Sequence, residues 1–315
     1  MKRDRENAKI VKIAWIVCIT GFVFAEGSAQ DGLFFEQVLF RQGDSGYHTF
    51  RIPALTVAGN GDLLAFAEAR KNSAADTGEI DIAMRRSSDK GLTWSAMEIV
   101  AGAGEPDGTT IGQPTPITDT ATGKLHLLTC RNNVSMHLRT SSDHGVSFTP
   151  SINITPAVNV PMGDPTGFNF NFTRIGSGPT GGIRISFGRL VVPVWINGVK
   201  GASETYRTGA AYSDDGGETW KFGDTVPLPT EIRGTDESSI VQLDSGDLLI
   251  SLRTNGSQPA RAFARSSNGG ETWSVAQSSD AFGNPVNAVQ AGITFNAPDN
   301  GGTVPPNGIW FQGTN

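Results

Sequence analysis

The sequence predicts an all-β protein built from repeated four-stranded units, and three observations lead to that fold class. One eight-residue pattern, Ser-x-Asp-x-Gly-x-Thr-Trp, occurs four times with small variations, at residues 87–94, 141–148, 213–220 and 266–273. The copies are spaced 53 to 72 residues apart, and strand-like runs lie between them. No segment shows helical periodicity beyond a turn or two. A repeat of this length is typical of radially arranged blades, most simply those of a β-propeller.

Each copy of this pattern, called a box below, is predicted to close a β-hairpin turn. Its third position is an acidic or amide residue, at Asp89, Asp143, Asp215 and Asn268. A side-chain oxygen there accepts N–H bonds from the backbone that follows, and the glycine adopts a positive φ at little steric cost. The Trp or Phe at the eighth position buries a large ring. We therefore expect the boxes to be structural and to make no contact with a substrate.

Short apolar runs alternate with Gly, Asp and Asn turns from residue 34 onward, and such runs predict strands. A strand-like run leads directly into every box, at residues 80–86, 135–140, 210–212 and 261–265. Two further runs, at residues 292–295 and 308–311, follow the last box. Because the same supersecondary unit recurs without a linker between copies, we expect a single domain.

Composition narrows the classes of function. The 315 residues carry a net charge of −6, include 39 glycines and contain only 18% charged residues. This balance suits a turn-rich β protein and argues against a disordered chain or a coiled coil. The sequence has no basic stripe of the kind that binds nucleic acid, so nucleic acid is not an expected partner.

Residues 1–29 are predicted to be a secretory signal peptide. A basic start precedes an apolar run at residues 13–25, and Gly27, Ser28 and Ala29 then provide small residues for cleavage. A membrane anchor is the alternative, but 13 residues at about 1.5 Å each fall short of a bilayer core. We expect cleavage near Ala29, a secreted or periplasmic protein without a membrane span, and one domain over residues 30–315.

Arg51 is the first candidate for a functional residue. It lies in the segment Phe50-Arg51-Ile52-Pro53, where a permanent cation is flanked by apolar residues. A charge in such a run is unfavourable unless it is paired. The residues themselves leave two interpretations open: a structural salt bridge, or an arginine that binds a ligand carboxylate at the end of an inner strand.

The segment at residues 50–53, combined with the boxes, resembles the exo-α-sialidases, or neuraminidases, of the bacterial and animal type. The resemblance extends from about residue 36 onward and includes the segments at residues 66–70, 188–193, 236–238 and 252–253. It implies a six-bladed sialidase β-propeller, of which the present length accommodates about four to five blades. The boxes alone are weakly specific, whereas their combination with Phe-Arg-Ile-Pro is strongly specific.

The resemblance also assigns roles in substrate binding. Sialic acid carries a carboxylate on its anomeric carbon, and a guanidinium fork matches a carboxylate bidentately. Arg51 and Arg253 would be two of the three arginines that bind it. Glu68 would hold the first arginine in place, and Arg70 and Gln113 would line the pocket.

Two carboxylates are implied to act in catalysis. Asp76, in a Gly/Ser/Ala-rich loop 25 residues after Arg51, matches the general acid/base, with Asp81 as the nearest competing acid. Glu237 matches the base that activates a tyrosine nucleophile, since sialidases depart from the two-carboxylate scheme of other glycosidases. On the residues alone, Asp76 and Glu237 would more often be exposed loop or turn residues.

Two positions depart from the family pattern. Asp236 stands where the family usually has Asn, and Gln113 stands where it often has Asn. Both are polar residues suited to contacts with the sugar. Trp195 is a candidate for stacking on the sugar, although a buried core position is the favoured interpretation.

The implied function is that of a secreted exo-α-sialidase acting with retention on sialylated glycoconjugates. The family also uses a third arginine and a tyrosine nucleophile late in the chain, and no tyrosine follows Tyr212. We therefore expect a C-terminally truncated sialidase that is inactive alone, with no cofactor or metal. A trans-sialidase and a catalytically inactive sialoside-binding propeller remain open as alternatives.

Overall fold

The computed structural model describes residues 10–16, 34–158, 171–200, 203–255, 261–278, 291–295 and 309–313. Within these residues, 21 strands form six antiparallel sheets, accompanied by a 3-10 turn (Asp44–Gly46) and one helical turn, α1 (Thr155–Val158). The all-β fold class predicted from the sequence is confirmed.

Four of the sheets are complete blades, flanked by two sheets of two strands each. The first small sheet comprises β1 (Ile10–Ile16) and β2 (Phe34–Arg41). The first blade comprises β3 (Thr49–Val57), β4 (Leu63–Arg70), β5 (Ile80–Ser87) and β6 (Glu98–Ala101). The second blade comprises β7 (Ile111–Thr118), β8 (Leu125–Arg131), β9 (Ser135–Ser141) and β10 (Ile152–Asn153).

The third and fourth blades follow the same meander. The third comprises β11 (Asn171–Ser177), β12 (Ile183–Arg184), β13 (Leu190–Lys200), β14 (Ser203–Ser213) and β15 (Lys221–Phe222). The fourth comprises β16 (Gly234–Gln242), β17 (Leu248–Asn255), β18 (Arg261–Ser266) and β19 (Gln277–Ser278). The last small sheet comprises β20 (Ala291–Phe295) and β21 (Ile309–Gly313), with β20 packed against β16. The predicted β-propeller is therefore confirmed.

Strand β1 lies within the segment predicted to be a signal peptide. It pairs antiparallel with β2 from Ile10 opposite Arg41 to Ile16 opposite Phe34. Cleavage near Ala29 stays a prediction, because that residue lies outside the described ranges. Within the described part of the chain, no helix has the length and apolar character that a membrane span requires.

The hydrophobic core lies between successive blades. One cluster joins the first blade to the second and includes Phe66, Met84 and Leu127. Equivalent clusters join the second blade to the third and the third to the fourth. Strand β2 and the second blade cover the two faces of β4, and the first and third blades cover those of β8, so both strands are buried almost throughout.

The boxes close the turn between the last two strands of every complete blade. In the first box, the Ser87 hydroxyl accepts the N–H of Gly91 at 2.8 Å, and Asp89 Oδ1 accepts the N–H of Thr93 at 2.9 Å. The other three boxes repeat these bonds. Since Ser87 pairs with Leu63 at the start of β4, the first box lies at the opposite end of its blade from Arg70.

Two arginines connect a box to the preceding blade. Arg86 of the first blade donates to the carbonyl oxygen of His144 in the second box at 2.9 Å. Arg189 of the third blade donates to the carbonyl oxygens of Asn268 and Gly269 in the fourth box, both at 3.2 Å. These contacts add to the apolar clusters between the first and second blades and between the third and fourth.

Candidate active site

β-Bulges interrupt the pairing between the first and second strands of the blades at the end opposite the boxes. In the first, second and fourth blades, the register shifts between Arg51 and Ala54, between Gly112 and Thr115, and between Thr235 and Ser238. A bulge bends a strand and redirects its side chains, and bulges are common beside active sites. Each of these three bulges contains or borders a residue that the sequence marks as a candidate.

Two of the bulges include a non-glycine residue with left-handed backbone. Ile52 has a φ of 54°, and Gln113 has a φ of 56°. Such a conformation costs about 1–3 kcal/mol and persists only where the surrounding structure enforces it. The first-strand ends of the first and second blades are therefore held in an uncommon geometry at this end of the propeller.

A buried ion pair at the end of β4 joins Glu68 to Arg70, and not to Arg51 as the resemblance implied. Nε and Nη2 of Arg70 lie 3.0 and 2.5 Å from Oε2 of Glu68, and both side chains are buried. The other oxygen of Glu68 accepts the amide N–H of Gln113 at 2.9 Å, which links the first blade to the bulge of the second. Burial raises the pKa of Glu68, while Arg70 and the amide of Gln113 oppose that shift.

Asp76 completes this charged network from the loop between β4 and β5. Its Oδ1 accepts hydrogen bonds from Nη1 of Arg51 at 2.9 Å and from Nη1 of Arg70 at 2.7 Å. Arg70 also donates to the carbonyl oxygen of Ala74 at 2.7 Å, which anchors the loop. The side chains of Asp76 and Arg51 are 75% and 46% exposed, so both are accessible to a ligand.

Gln113 and Trp195 form the adjoining part of the site. Nε1 of Trp195 donates to Oε1 of Gln113 at 3.1 Å, and the indole lies 6.1 Å from the ring of Tyr206. Trp195 is buried, so the interpretation of this residue as a core tryptophan agrees with its position. Gly176 leaves room for the pair, because a Cβ there would lie 2.0 Å from Oε1 of Gln113.

The fourth blade contributes a second cluster of charges around Arg253. Nη1 of Arg253 donates to Oε2 of Glu237 at 2.7 Å and lies 3.5 Å from Oδ2 of Asp236. Asp236 Oδ1 accepts the N–H of Glu237 at 2.8 Å. Burial raises the pKa of Asp236 to about 6, against the lowering effect of Arg253. Arg261, the cross-strand neighbour of Arg253, is fully buried, and burial lowers its pKa to about 10.

The third blade connects the two charged clusters. Trp195 contacts Gln113 on one side, and Tyr206 lies against Gly234 at the start of β16 on the other. The hydroxyl of Thr208 donates to the carbonyl oxygen of Asp236 at 2.9 Å. The structure therefore brings all seven predicted catalytic and binding residues to one end of the propeller, namely Arg51, Glu68, Arg70, Asp76, Gln113, Glu237 and Arg253.

Asp81, the competing acid, is engaged elsewhere. Its Oδ2 accepts the hydroxyl proton of Tyr47 at 2.5 Å. Burial and the bond to Asp81 raise the pKa of Tyr47. Asp76 rather than Asp81 is thus the acid in contact with Arg51.

Arg261 and Tyr206 are the site residues that sequence reasoning missed. The only signal for Arg261 was a cation at the start of an apolar strand, directly after the strand of Arg253. Among the described residues, no group of three or more His, Cys, Asp or Glu side chains is arranged to hold a metal ion.

Comparisons with known proteins identify the family and fold of this chain. Residues 61–300 match the family described as BNR repeat-like domain. The sialidase of Paraclostridium sordellii is 28% identical over 297 residues, which cover 87% of this chain and 70% of that protein. The sialidase of Micromonospora viridifaciens is 31% identical over 268 residues, covering 76% and 38%. The sialidase of Bacteroides fragilis is 28% identical over 263 residues, covering 75% and 45%.

Solved structures of sialidases share the fold. The Hadza microbial sialidase Hz136 superimposes with a TM-score of 0.68 at 24% identity, over 85% of this chain and 55% of that chain. The Trypanosoma rangeli sialidase gives a TM-score of 0.63 at 22% identity, over 83% and 43%. The chain thus spans only about half the length of most of these relatives.

Proposed function

This chain belongs to the BNR repeat-like family and, within it, to the sialidases, and we propose that it forms the part of an exo-α-sialidase that binds the substrate carboxylate and donates the proton. The proposed substrates are terminal sialic acids of glycoproteins, glycolipids and oligosaccharides, released by hydrolysis with retention. One observation supports this most strongly: Arg51 with Asp76, from the first blade, and Arg253 with Glu237, from the fourth, lie at the same end of the propeller.

Arg51 and Arg253 are proposed to bind the carboxylate of the sugar. Arg51 is half-exposed, and its Nη1 already holds a carboxylate, that of Asp76. Arg253 holds Glu237 in the same way from the other side of the site. An anionic ligand that enters between them meets two guanidinium groups, each able to form charge-assisted hydrogen bonds.

Asp76 is proposed as the general acid. A carboxyl that contacts Arg51 is close to any carboxylate that Arg51 binds, and in sialic acid that carboxylate is attached to the reacting anomeric carbon. The exposed position of Asp76 on a loop lets it reach the leaving oxygen. General acid catalysis by a positioned carboxyl contributes about 10²–10⁴-fold.

Glu237 is proposed to act as the base for a tyrosine nucleophile. Among the described residues, the hydroxyl of Tyr47 is bonded to Asp81, and the ring of Tyr212 packs on Arg189 at 4.0 Å, towards the boxes. The ring of Tyr206, the third tyrosine, packs on Trp195 at 6.1 Å. We propose that the nucleophile and a third arginine come from sequence outside these 315 residues, so that this chain alone is inactive. We also propose secretion after cleavage near Ala29.

Sialoside binding without hydrolysis is the second candidate function. The engagement of Tyr47 and Tyr212 away from Glu237, and the packing of Tyr206 on Trp195, favour it for a protein that consists of these residues only. A trans-sialidase uses the same binding site and differs in the acceptor, which is a sugar in place of water.

The test compares this chain with a version extended by its downstream coding sequence. Both are incubated with sialyllactose, with and without excess lactose bearing an isotopic label, and free sialic acid, labelled sialyllactose and binding are measured. We expect free sialic acid from the extended protein and binding alone from the 315 residues. Transfer to labelled lactose identifies a trans-sialidase, binding alone by both proteins identifies the second candidate, and no binding by either contradicts the proposal.

A further inference from the structure

We propose that Asp236 is a specificity-determining residue: as an anion it competes with a ligand carboxylate for Arg253, and as a neutral acid it leaves Arg253 to the ligand. The proposal rests on the proposed sialic-acid site. It adds a residue that makes the strength of anion binding depend on pH.

The geometry places two neighbouring carboxyl groups on one guanidinium nitrogen. Nη1 of Arg253 lies 2.7 Å from Oε2 of Glu237 and 3.5 Å from Oδ2 of Asp236. The two carboxyl side chains are only 15% and 12% exposed, so water screens them weakly. The bond from the Glu237 amide to Oδ1 of Asp236, at 2.8 Å, fixes the carboxyl of Asp236 in this orientation.

The charges around Asp236 nearly cancel. Glu237 adjoins it on β16, Arg253 and Asn255 face it from β17, and Arg261 lies behind them on β18. With both acids ionised, the cluster of Asp236, Glu237, Arg253 and Arg261 is neutral. A proton on Asp236 changes the sum to +1, which favours an anionic ligand.

The other elements packed on β16 contribute Arg207 of β14 as a further charged group near the cluster. From β14, the hydroxyl of Thr208 binds the Asp236 carbonyl oxygen, and Tyr206 lies against Gly234. Arg207 donates to the carbonyl oxygen of Arg233, just before β16, at 3.1 Å. Arg184 on β12 is held by Asp119 at 2.8 Å. The sequence of β13 contains only Lys200 as a titratable residue, and that of β20 contains none.

The pH at which the carboxyl of Asp236 gains a proton lies within the pH range in which most proteins work. Burial raises its pKa to about 6, and the neighbouring charge of Glu237 adds to the rise while Arg253 opposes it. Because the raised pKa favours the neutral acid, the cluster carries its extra positive charge below about pH 6 and loses it above. We therefore expect affinity for a carboxylate ligand to increase as the pH falls from about 7.5 to 5.

Asparagine at this position separates charge from hydrogen bonding. Asp236→Asn keeps an oxygen that accepts the amide of Glu237 and removes the negative charge. Asp62→Asn is the matched control, since Asp62 is similarly enclosed and pairs with Arg86 at 2.8 Å, but lies in the turn at the box end of the first blade.

The experiment measures binding of free sialic acid, whose own carboxyl stays ionised, by calorimetry at about pH 5 and 7.5. We expect wild type and Asp62→Asn to bind about tenfold more tightly at the lower pH, as loss of one unit of charge beside the ligand predicts. We expect Asp236→Asn to bind tightly at both. A pH dependence in Asp236→Asn equal to that of wild type overturns the proposal.

A second measurement decides the proposal without any ligand. The carboxyl carbon of Asp236 is followed by NMR in protein labelled with ¹³C-aspartate, and its signal is assigned by its loss in Asp236→Asn. The side-chain nitrogens of Arg253 are followed in protein that carries labelled arginine. Both signals should titrate with a midpoint near 6 in wild type, and the Arg253 signals should not titrate in the variant. A midpoint near 4 overturns the proposal. Failure of all variants to bind sialic acid contradicts the proposed function and leaves this readout intact.

Discussion

The carboxylate of Asp76 accepts a hydrogen bond from Nη1 of Arg51 at 2.9 Å, although the two residues lie 25 positions apart on different elements of the first blade. The Asp76 side chain is 75% exposed, so this contact is screened by water and is worth at most about 1 kcal/mol. Asp76 is therefore held close to Arg51 without blocking it. A ligand carboxylate that displaces Asp76 from Arg51 leaves the acid beside the ligand, still adjacent to Arg70.

Removal of Asp76 is expected to distinguish natural from activated substrates. In the hydrolytically active protein, Asp76→Ala should lower kcat/KM for sialyllactose by about 10²-fold or more, because the leaving oxygen needs a proton. Sialosides with an activated aryl leaving group need little proton donation and should lose far less. Steady-state kinetics with both substrates provides the measurement, and Asp81→Asn is the control, since Asp81 binds Tyr47. An equal loss on both substrates removes Asp76 from this role.

Gly176 is expected to be essential for the position of Gln113. A Cβ at residue 176 would lie 2.0 Å from Oε1 of Gln113 and 2.6 Å from the Trp195 ring, so Gly176→Ala must displace one of them. We expect a loss of sialic acid affinity of at least about tenfold and a change in tryptophan fluorescence. Gly181→Ala is the control, since its nearest contact would be 3.4 Å. Unchanged affinity in Gly176→Ala would show that Gln113 does not contribute to the site.

Arg189 is expected to be the most important single charge for holding the third blade to the fourth. It pairs with Asp214 at 2.7 Å and with Glu271 at 2.8 Å, and its own side chain is nearly buried. Arg189→Ala removes these ion pairs and the bonds to the carbonyl oxygens of the fourth box, while the half-exposed carboxylates stay solvated, so we expect a loss of about 1–2 kcal/mol in the free energy of unfolding. Arg265→Ala, at an exposed position on β18, should change it by less than about 0.5 kcal/mol. Denaturant unfolding compares the two, and equal effects would refute this role.

The boxes are expected to make the stability of the fold change with pH in the acid range. Hydrogen bonds from the Thr93 hydroxyl and amide lower the pKa of Asp89 from 3.8 to about 2. A depressed pKa in the folded state means that this stabilisation is complete above about pH 4 and is lost as the pH falls through 2. Asp89→Asn should therefore reduce the fall in melting temperature between about pH 4 and 2. An unchanged fall would show that the box carboxylate does not contribute.

The features predicted most fully from the sequence are those whose contacts lie within one short segment. The box could be recognised because its bonds join residues within a single octapeptide, such as Ser87 to Gly91 and Asp89 to Thr93. The candidate site residues were found through a resemblance, because they come from separate strands and nothing local marks them. Their common position at one end of the propeller follows from the blade topology.

Other features depend on tertiary packing that no short motif encodes. Arg261 is fully buried because β17 and β18 pair in a register that sets it opposite Arg253. The raised pKa of Asp236 has the same origin, since burial in the assembled fourth blade is its largest cause. Residues 10–16 form strand β1, paired with β2, and the same segment fits the start of a cleaved signal peptide, which stays a prediction.

The most direct test of the proposed site compares the binding of sialic acid with that of its methyl ester, which keeps the sugar and loses the negative charge. Wild type should bind the acid at least about tenfold more tightly, since charge-assisted hydrogen bonds contribute about 1.5–3 kcal/mol. Arg51→Lys and Arg253→Lys should each weaken binding of the acid and leave that of the ester nearly unchanged. Equal affinity of wild type for acid and ester, or a preference for the acid that survives both substitutions, would contradict recognition of the carboxylate by these two arginines.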